Sequence, residues 1–224
     1  MDLPVIILNF KTYSQLDGRG TLELARLCQD VHDETGASIA VCPPHVELAR
    51  VASEVSIPVL AQNADIWDGS VRTGGVTLSQ LKGIGASGLL INHSERRRTL
   101  FDMEALITGS REMGLTSIVC TNNVNSSRAA AAMEPDFVAM EPPELIGGDI
   151  SVTSADPGIV KRTVDEVARI SPGVRVLTGA GVKTGEDVAK ALELGTHGVL
   201  LASGVVKASD PGTKLRSLID GLSR

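Results

Sequence analysis

Short apolar runs recur along the chain, separated by longer segments in which apolar residues return every three or four positions. The runs lie at residues 4–8, 38–41, 59–61, 88–91, 117–120, 137–140, 174–177 and 198–201. Each has strand length and little polar alternation, which predicts strands covered on both faces. Between them the spacing changes to that of helices. Leu24, Leu27, Cys28 and Val31 share one helical face, with Gly36 placed to end that helix. Leu48, Val51, Ala52 and Val55 repeat the pattern behind Pro44, a residue suited to a first turn. A weak helix follows over 78–84, and Asp102 is placed to cap one carrying Met103, Leu106 and Ile107. An alanine-rich helix is predicted over 125–133. Asp156-Pro157 then reads as a cap with proline at the first helical position, ahead of Val160, Thr163, Val164 and Val167. Residues 184–194 form a helix before Gly195, and the last helix carries Leu215, Leu218, Ile219 and Leu222.

About eight strand-then-helix units result. Strict alternation means an α/β protein with right-handed crossovers, and eight units point to a single (β/α)8 barrel. An open doubly wound sheet is the alternative before any motif is read. With no linker, low-complexity segment or charge block, residues 1–224 read as one domain. The stretch 62–75 is the exception to the regular pattern. It is polar, glycine-bearing and holds the single Trp67, as a functional or interface loop would.

Composition narrows the function. The 224 residues are 42% hydrophobic but only 2% aromatic, so the core is built from Val, Ile, Leu and Ala, with few rings to stack on bases. A net charge of −6 opposes a nucleic-acid backbone, and any anionic ligand must find local counter-charge. Three scattered cysteines, Cys28, Cys42 and Cys120, form no disulfide framework and fit a reducing cytoplasm. The N-terminus does not resemble a signal peptide, and no apolar run has membrane-span length.

The chemistry collects where strands end. Asn9, Lys11, His93, Glu141, Gly181, Ala202 and Ser203 all fall at or just after the carboxyl end of a predicted strand. A barrel gathers those ends at one face. Glu141 closes the run 137–140 and is followed by Pro142-Pro143, the apolar pair Leu145-Ile146 and Gly147-Gly148. A stiff start, an apolar middle and a loose end describe a hinged lid, with Glu141 as a proton-abstracting base beneath it. A surface loop with a solvated Glu is the plainer alternative. Gly181 and Ala202-Ser203-Gly204 sit in small-residue turns leading into helices, where backbone N–H groups can approach a phosphate. His93, with Ser94-Glu95 after it, is placed to stay neutral and donate a hydrogen bond. Glu95 can hold Lys11 across the mouth. Arg96-Arg97-Arg98 reads as a solvated helix start with some ion pairing. Cys42-Pro43-Pro44-His45 has too few ligands for a metal, and no metal site or cofactor is read.

The segments Asn9-Phe10-Lys11, Asn92-His93-Ser94-Glu95-Arg96-Arg97 and Glu141-Pro142-Pro143-Glu144-Leu145-Ile146-Gly147 resemble the triosephosphate isomerases in order and spacing. The resemblance runs from about Pro4 to the end of the chain, and the short length and Glu-Pro-Pro-Glu-Leu lid look like the archaeal branch. It implies that Glu141 removes a proton beside the substrate carbonyl, neutral His93 polarises that carbonyl, and Lys11 stabilises the developing charge. It further implies Glu95 as the partner of Lys11, with Asn9, Phe10, Ile146, Gly147, Gly181, Ala202 and Ser203 on the substrate. The substrate would be a triose phosphate, converted without a cofactor in glycolysis and gluconeogenesis. Residues 62–75, with Thr73-Gly74 at the tip, would insert into a neighbouring subunit, giving a homodimer or homotetramer. The chain departs from the family at Met140, where an aromatic residue is common, at the Gly148-Asp149 lid end, and at Thr178-Gly179-Ala180-Gly181, which lacks the common serine.

Two rivals are weighed. A barrel such as a ribulose-phosphate epimerase would need a metal or paired acids at strand ends, and neither is read. A non-catalytic phosphometabolite sensor would tolerate loss of Glu141 or His93, and both are present.

Overall fold

The computed structural model describes residues 1–66, 73–148 and 151–222. Its sheet has eight parallel strands: β1 (Val5–Asn9), β2 (Ser38–Cys42), β3 (Leu60–Ala61), β4 (Gly88–Ile91), β5 (Thr116–Thr121), β6 (Phe137–Met140), β7 (Arg175–Thr178) and β8 (Gly198–Leu201). They run in the order β2-β1-β8-β7-β6-β5-β4-β3. The two end strands then meet: Val41 bridges Val59 in parallel, and its N–H donates to Pro58 O at 3.0 Å. The sheet is thus a closed barrel and the open doubly wound sheet is excluded.

The helices are α1 (Gly20–Thr35), α2 (His45–Glu54), α3 (Leu78–Gly83), α4 (Leu100–Met113), α5 (Val124–Ala131), α6 (Val152–Ala155), α7 (Pro157–Ile170), α8 (Gly185–Glu193), α9 (Ser203–Val206) and α10 (Pro211–Ile219). Burial explains why the strands lack polar alternation. Val5, Ile7, Ala40, Leu90, Ile118, Leu177 and Leu200 pack together inside the barrel. The residues that alternate with them, such as Ile6, Leu8, Ile39, Leu89, Val119 and Val199, pack outward with the helices. Each fully buried Leu, Ile or Val contributes roughly 1.5–3 kcal/mol, so both faces favour apolar residues.

Several local expectations shift. Thr99, not Asp102, caps α4. Asp102 stands three residues on and returns a bond to the Thr99 N–H, completing a capping box. Asn123 starts α5 by the same device, earlier than alanine content implied. β7 runs one residue further than the apolar run, because Thr178 pairs with Met140 and its hydroxyl donates to Met140 O. α10 stops at Ile219, and Leu222 packs on the core from beyond its end. The helices α6 and α9 and the 3-10 turns Ser14–Leu16 and Pro143–Leu145 are too short to carry a period. Gly36 ends α1 at φ 71°, as the sequence implied. Trp67 and Asp149 lie outside the described residues.

Candidate active site

Three strand ends place three functional side chains together. β1 ends at Asn9, whose Oδ1 accepts the Lys11 N–H at 3.0 Å. That local bond supports Lys11 at φ 49°, a left-handed conformation rare for a side-chain-bearing residue. Gln62 holds the same loop, donating from Nε2 to both Lys11 O and Cys42 O at 3.0 Å. The Lys11 ammonium meets Glu95 Oε1 at 2.8 Å, the pairing the sequence suggested. After β4, Asn92 turns at φ 63° and its Nδ2 donates to Cys120 O, which swings His93 inward. After β6, Glu141 enters the mouth with its N–H given to Thr121 O. His93 Nε2 and Glu141 Oε2 are 3.8 Å apart, both side chains less than a tenth exposed.

The electrostatics set these groups in different protonation states. Burial, aided by the Lys11 ammonium, lowers the His93 pKa to about 4. The Glu95 carboxylate opposes this, but Glu95 is more than half exposed and already committed to Lys11. The Glu95 N–H donates to His93 Nδ1 at 3.2 Å, so Nδ1 is an acceptor and the ring proton belongs on Nε2. Burial raises Glu141 to about 7, against the Lys11 ammonium and a hydrogen bond from the Cys120 thiol. Glu141 Oε2 is buried without a hydrogen-bond partner. An unsatisfied buried carboxylate oxygen is costly to a fold, and one facing a cavity is available to take a proton.

A narrow cavity joins these groups to the opposite rim. Asn9, Lys11, His93 and Glu141 line it with Ile146 and Gly147 from the segment after β6 and with Gly181, Ala202 and Ser203. Its volume is about 30 Å³, small beside the neighbouring spaces at the mouth. Of the residues read as site candidates, Phe10 alone does not face it or its mouth. Phe10 is wholly buried in the outer core and its N–H donates to Cys42 O, because the side chain alternates outward after Asn9. Glu95 stands at the outer mouth with Lys11 and His93. The loop after β7 turns through Ala180 and Gly181 at φ 66° and 73°. α9 begins at Ser203, presenting the first N–H groups of a helix to the cavity.

Some contributors carried no sequence signal of their own. Tyr13 and Lys183 line the cavity but sit in segments read as connections. Gly179 is packed so closely that a Cβ would come within 2.5 Å of Leu200 O and 2.7 Å of Glu141 Oε1. Arg96 and Arg98 pair with Asp65, as the expected ion pairing implied, but Arg98 is not solvated. It donates to Asn63 Oδ1, Ala64 O and Asp65 Oδ1 and is only 16% exposed, tying the start of the 62–75 stretch to the site.

The family model described as triosephosphate isomerase matches residues 4–221. The chain belongs to the triosephosphate isomerase family. It is 52% identical to the triosephosphate isomerase of Methanosarcina acetivorans over 219 residues, covering 98% of this chain and 99% of that one. Identity to the triosephosphate isomerase of Methanothermus fervidus is also 52% over 219 residues, with the same coverage. That of Methanocaldococcus jannaschii is 47% identical over 215 residues, 96% of this chain and 98% of its own. These relatives are archaeal, as the short length and the Glu-Pro-Pro-Glu-Leu segment implied. Within this triosephosphate isomerase barrel, Met140 is buried against Val152 and Val160, with Leu145 packed on the same cluster.

Proposed function

We propose that this chain is a triosephosphate isomerase, interconverting dihydroxyacetone phosphate and D-glyceraldehyde 3-phosphate in glycolysis and gluconeogenesis. The observation that carries this reading is the close pair of an ionisable, unsatisfied Glu141 carboxylate and a neutral His93 in one narrow cavity with Lys11. Glu141 takes the proton from the carbon beside the carbonyl. The electrons move to the carbonyl oxygen as an enediolate, which Lys11 and the His93 Nε2–H stabilise. His93 then shuttles a proton between the two oxygens, and Glu141 returns its proton to the neighbouring carbon. No atom or electron is gained or lost overall, so the reaction balances without a cofactor.

Each residue is used where its environment suits it. A base works best with a pKa near the working pH, and Glu141 stands at about 7. Polarising a carbonyl needs a donor that keeps its proton and carries no charge, and His93 titrates far below neutrality. Asn9 orients the substrate, Glu95 holds Lys11, and Gly181, Ala202 and Ser203 offer backbone N–H groups to the phosphate. Ile146 and Gly147 close over it, and a dry site limits loss of phosphate from the enediolate.

The same reading takes residues 1–224 as one domain, places the enzyme in the cytoplasm, and assembles it as a homodimer or homotetramer through 62–75. Among the described residues no helix is long and apolar enough to cross a membrane. A coupled assay on the purified protein with dihydroxyacetone phosphate tests the activity. Binding of a phosphoglycolate-type analogue with no turnover would instead favour a sensor.

A further inference from the structure

Beside the narrow cavity lies a much larger cleft of about 700 Å³ between the loop after β7, α9 and α10. The two share Gly147, Lys183, Ser203 and Gly204 as a common wall. The far wall of the cleft carries Lys207 and Lys214. The Lys207 ammonium lies 5.0 Å from the centre of the Tyr13 ring, and Tyr13 lines the inner cavity, so this cation sits at the junction of the two spaces. Neither Lys207 nor Lys214 forms an ion pair among the described residues. The one carboxylate on the cleft among the described residues, Asp210, is turned to its own helix: it accepts the Thr213 N–H at 3.0 Å and the Thr213 hydroxyl at 2.7 Å. Hydroxyls of Ser209 and Ser217 complete a polar lining. In a chain of net charge −6, this is a local concentration of positive charge next to a rim suited to phosphate.

We propose that the cleft is a second anion subsite. It admits small molecules with two or more phosphate groups, one on the backbone N–H groups of Ser203 and Gly204 and the next on Lys207 and Lys214. A ligand of that class spans the shared wall and excludes triose phosphate, so it acts as a competitive inhibitor. The cleft, at about 700 Å³, has room for a further phosphate. The inference rests on the reading of the α9 rim as a phosphate site.

Calorimetric titration of the full-length protein with inorganic phosphate and with tripolyphosphate tests it. Tripolyphosphate is expected to bind roughly tenfold more tightly than phosphate, the scale that two partly screened ion pairs supply. That ratio should fall to near unity in Lys207→Ala/Lys214→Ala. The doubly substituted Lys161→Ala/Lys190→Ala protein removes the same charge from exposed positions elsewhere and should keep the wild-type ratio. Equal ratios in the two variants, or no preference in the wild type, would overturn the subsite. Tripolyphosphate should also raise the KM of the wild-type protein for triose phosphate without changing kcat. Absence of turnover would count against the isomerase reading, while the binding ratios would still decide the subsite.

Discussion

Glu141 carries opposing demands. Its burial raises the pKa to about 7, which costs stability once the group ionises but gives a base matched to neutral pH. Replacing it with Gln should lower kcat by about 10²–10⁴ while a phosphoglycolate-type inhibitor binds nearly as before. A parallel loss of turnover and inhibitor binding would refute its role as base. In the wild type, kcat/KM should fall with decreasing pH through about 7, since the base must be ionised, and His93 adds no limb until about 4. A rate profile flat from about pH 5 to 8 would exclude Glu141 as that base. Stability gives an independent reading. The folded-state pKa of Glu141 lies above its ordinary 4.5, so its contribution is full below that value and is lost as pH rises through about 7. His93 works in the other direction, present above 6.5 and lost as pH falls through about 4. Comparison with Glu141→Gln isolates the first group. The variant should gain on the order of 3 kcal/mol over the wild type between about pH 5 and 8, measured by denaturant unfolding. The sequence placed Glu141, His93 and Lys11 at strand ends, but the unsatisfied oxygen and the Nε2 tautomer depend on contacts made across the barrel.

At the scale of elements, loops after neighbouring strands hold the groups proposed to be catalytic in position. Gly179 ends β7 against the Glu141 carboxylate, and a methyl there meets both Leu200 O and Glu141 Oε1 below 3 Å. Gly179→Ala should therefore lower kcat by roughly 10²-fold through a small displacement of the base, with a stability loss of about 1–3 kcal/mol. A variant with wild-type kcat would show that the carboxylate tolerates that shift. Arg98 provides a comparable brace for residues 63–65. Arg98→Ala removes the guanidinium donor from Asn63 and from Asp65, which keeps the Val76 N–H on its other oxygen, and should cost about 2 kcal/mol, read as a lowered Tm. An unchanged Tm would mean that this network contributes nothing net. Neither brace was legible beforehand. Gly179 looked like one of several turn residues, and Arg98 looked like one of three surface arginines, because close approach and burial are not encoded in a local pattern. Helix periods and the Asp156-Pro157 start were legible, since both are local.

At the scale of the molecule, the 62–75 stretch leaves the barrel near the catalytic mouth. Thr73 and Gly74 are both exposed in the isolated chain. Sedimentation should give a mass of two or four times 23.4 kDa, and Thr73→Arg should shift it toward one. A wild-type monomer with full activity would remove the need for a partner. The barrel itself follows from the sequence. Eight apolar runs, each between helices, must bury both faces, and a closed parallel sheet within a ring of helices does so. Closure through Val41 and Val59, the outward turn of Phe10 and the contact of Glu141 with Gly179 are set by packing between residues far apart in the chain. The order of apolar and polar residues therefore determined the elements, the barrel and which side chains face one rim, because hydrophobic burial and backbone hydrogen bonding act through periodicity. Distances, protonation states and the lysine-lined cleft were decided only in three dimensions, because desolvation and charge interactions depend on neighbours that the chain brings together by folding.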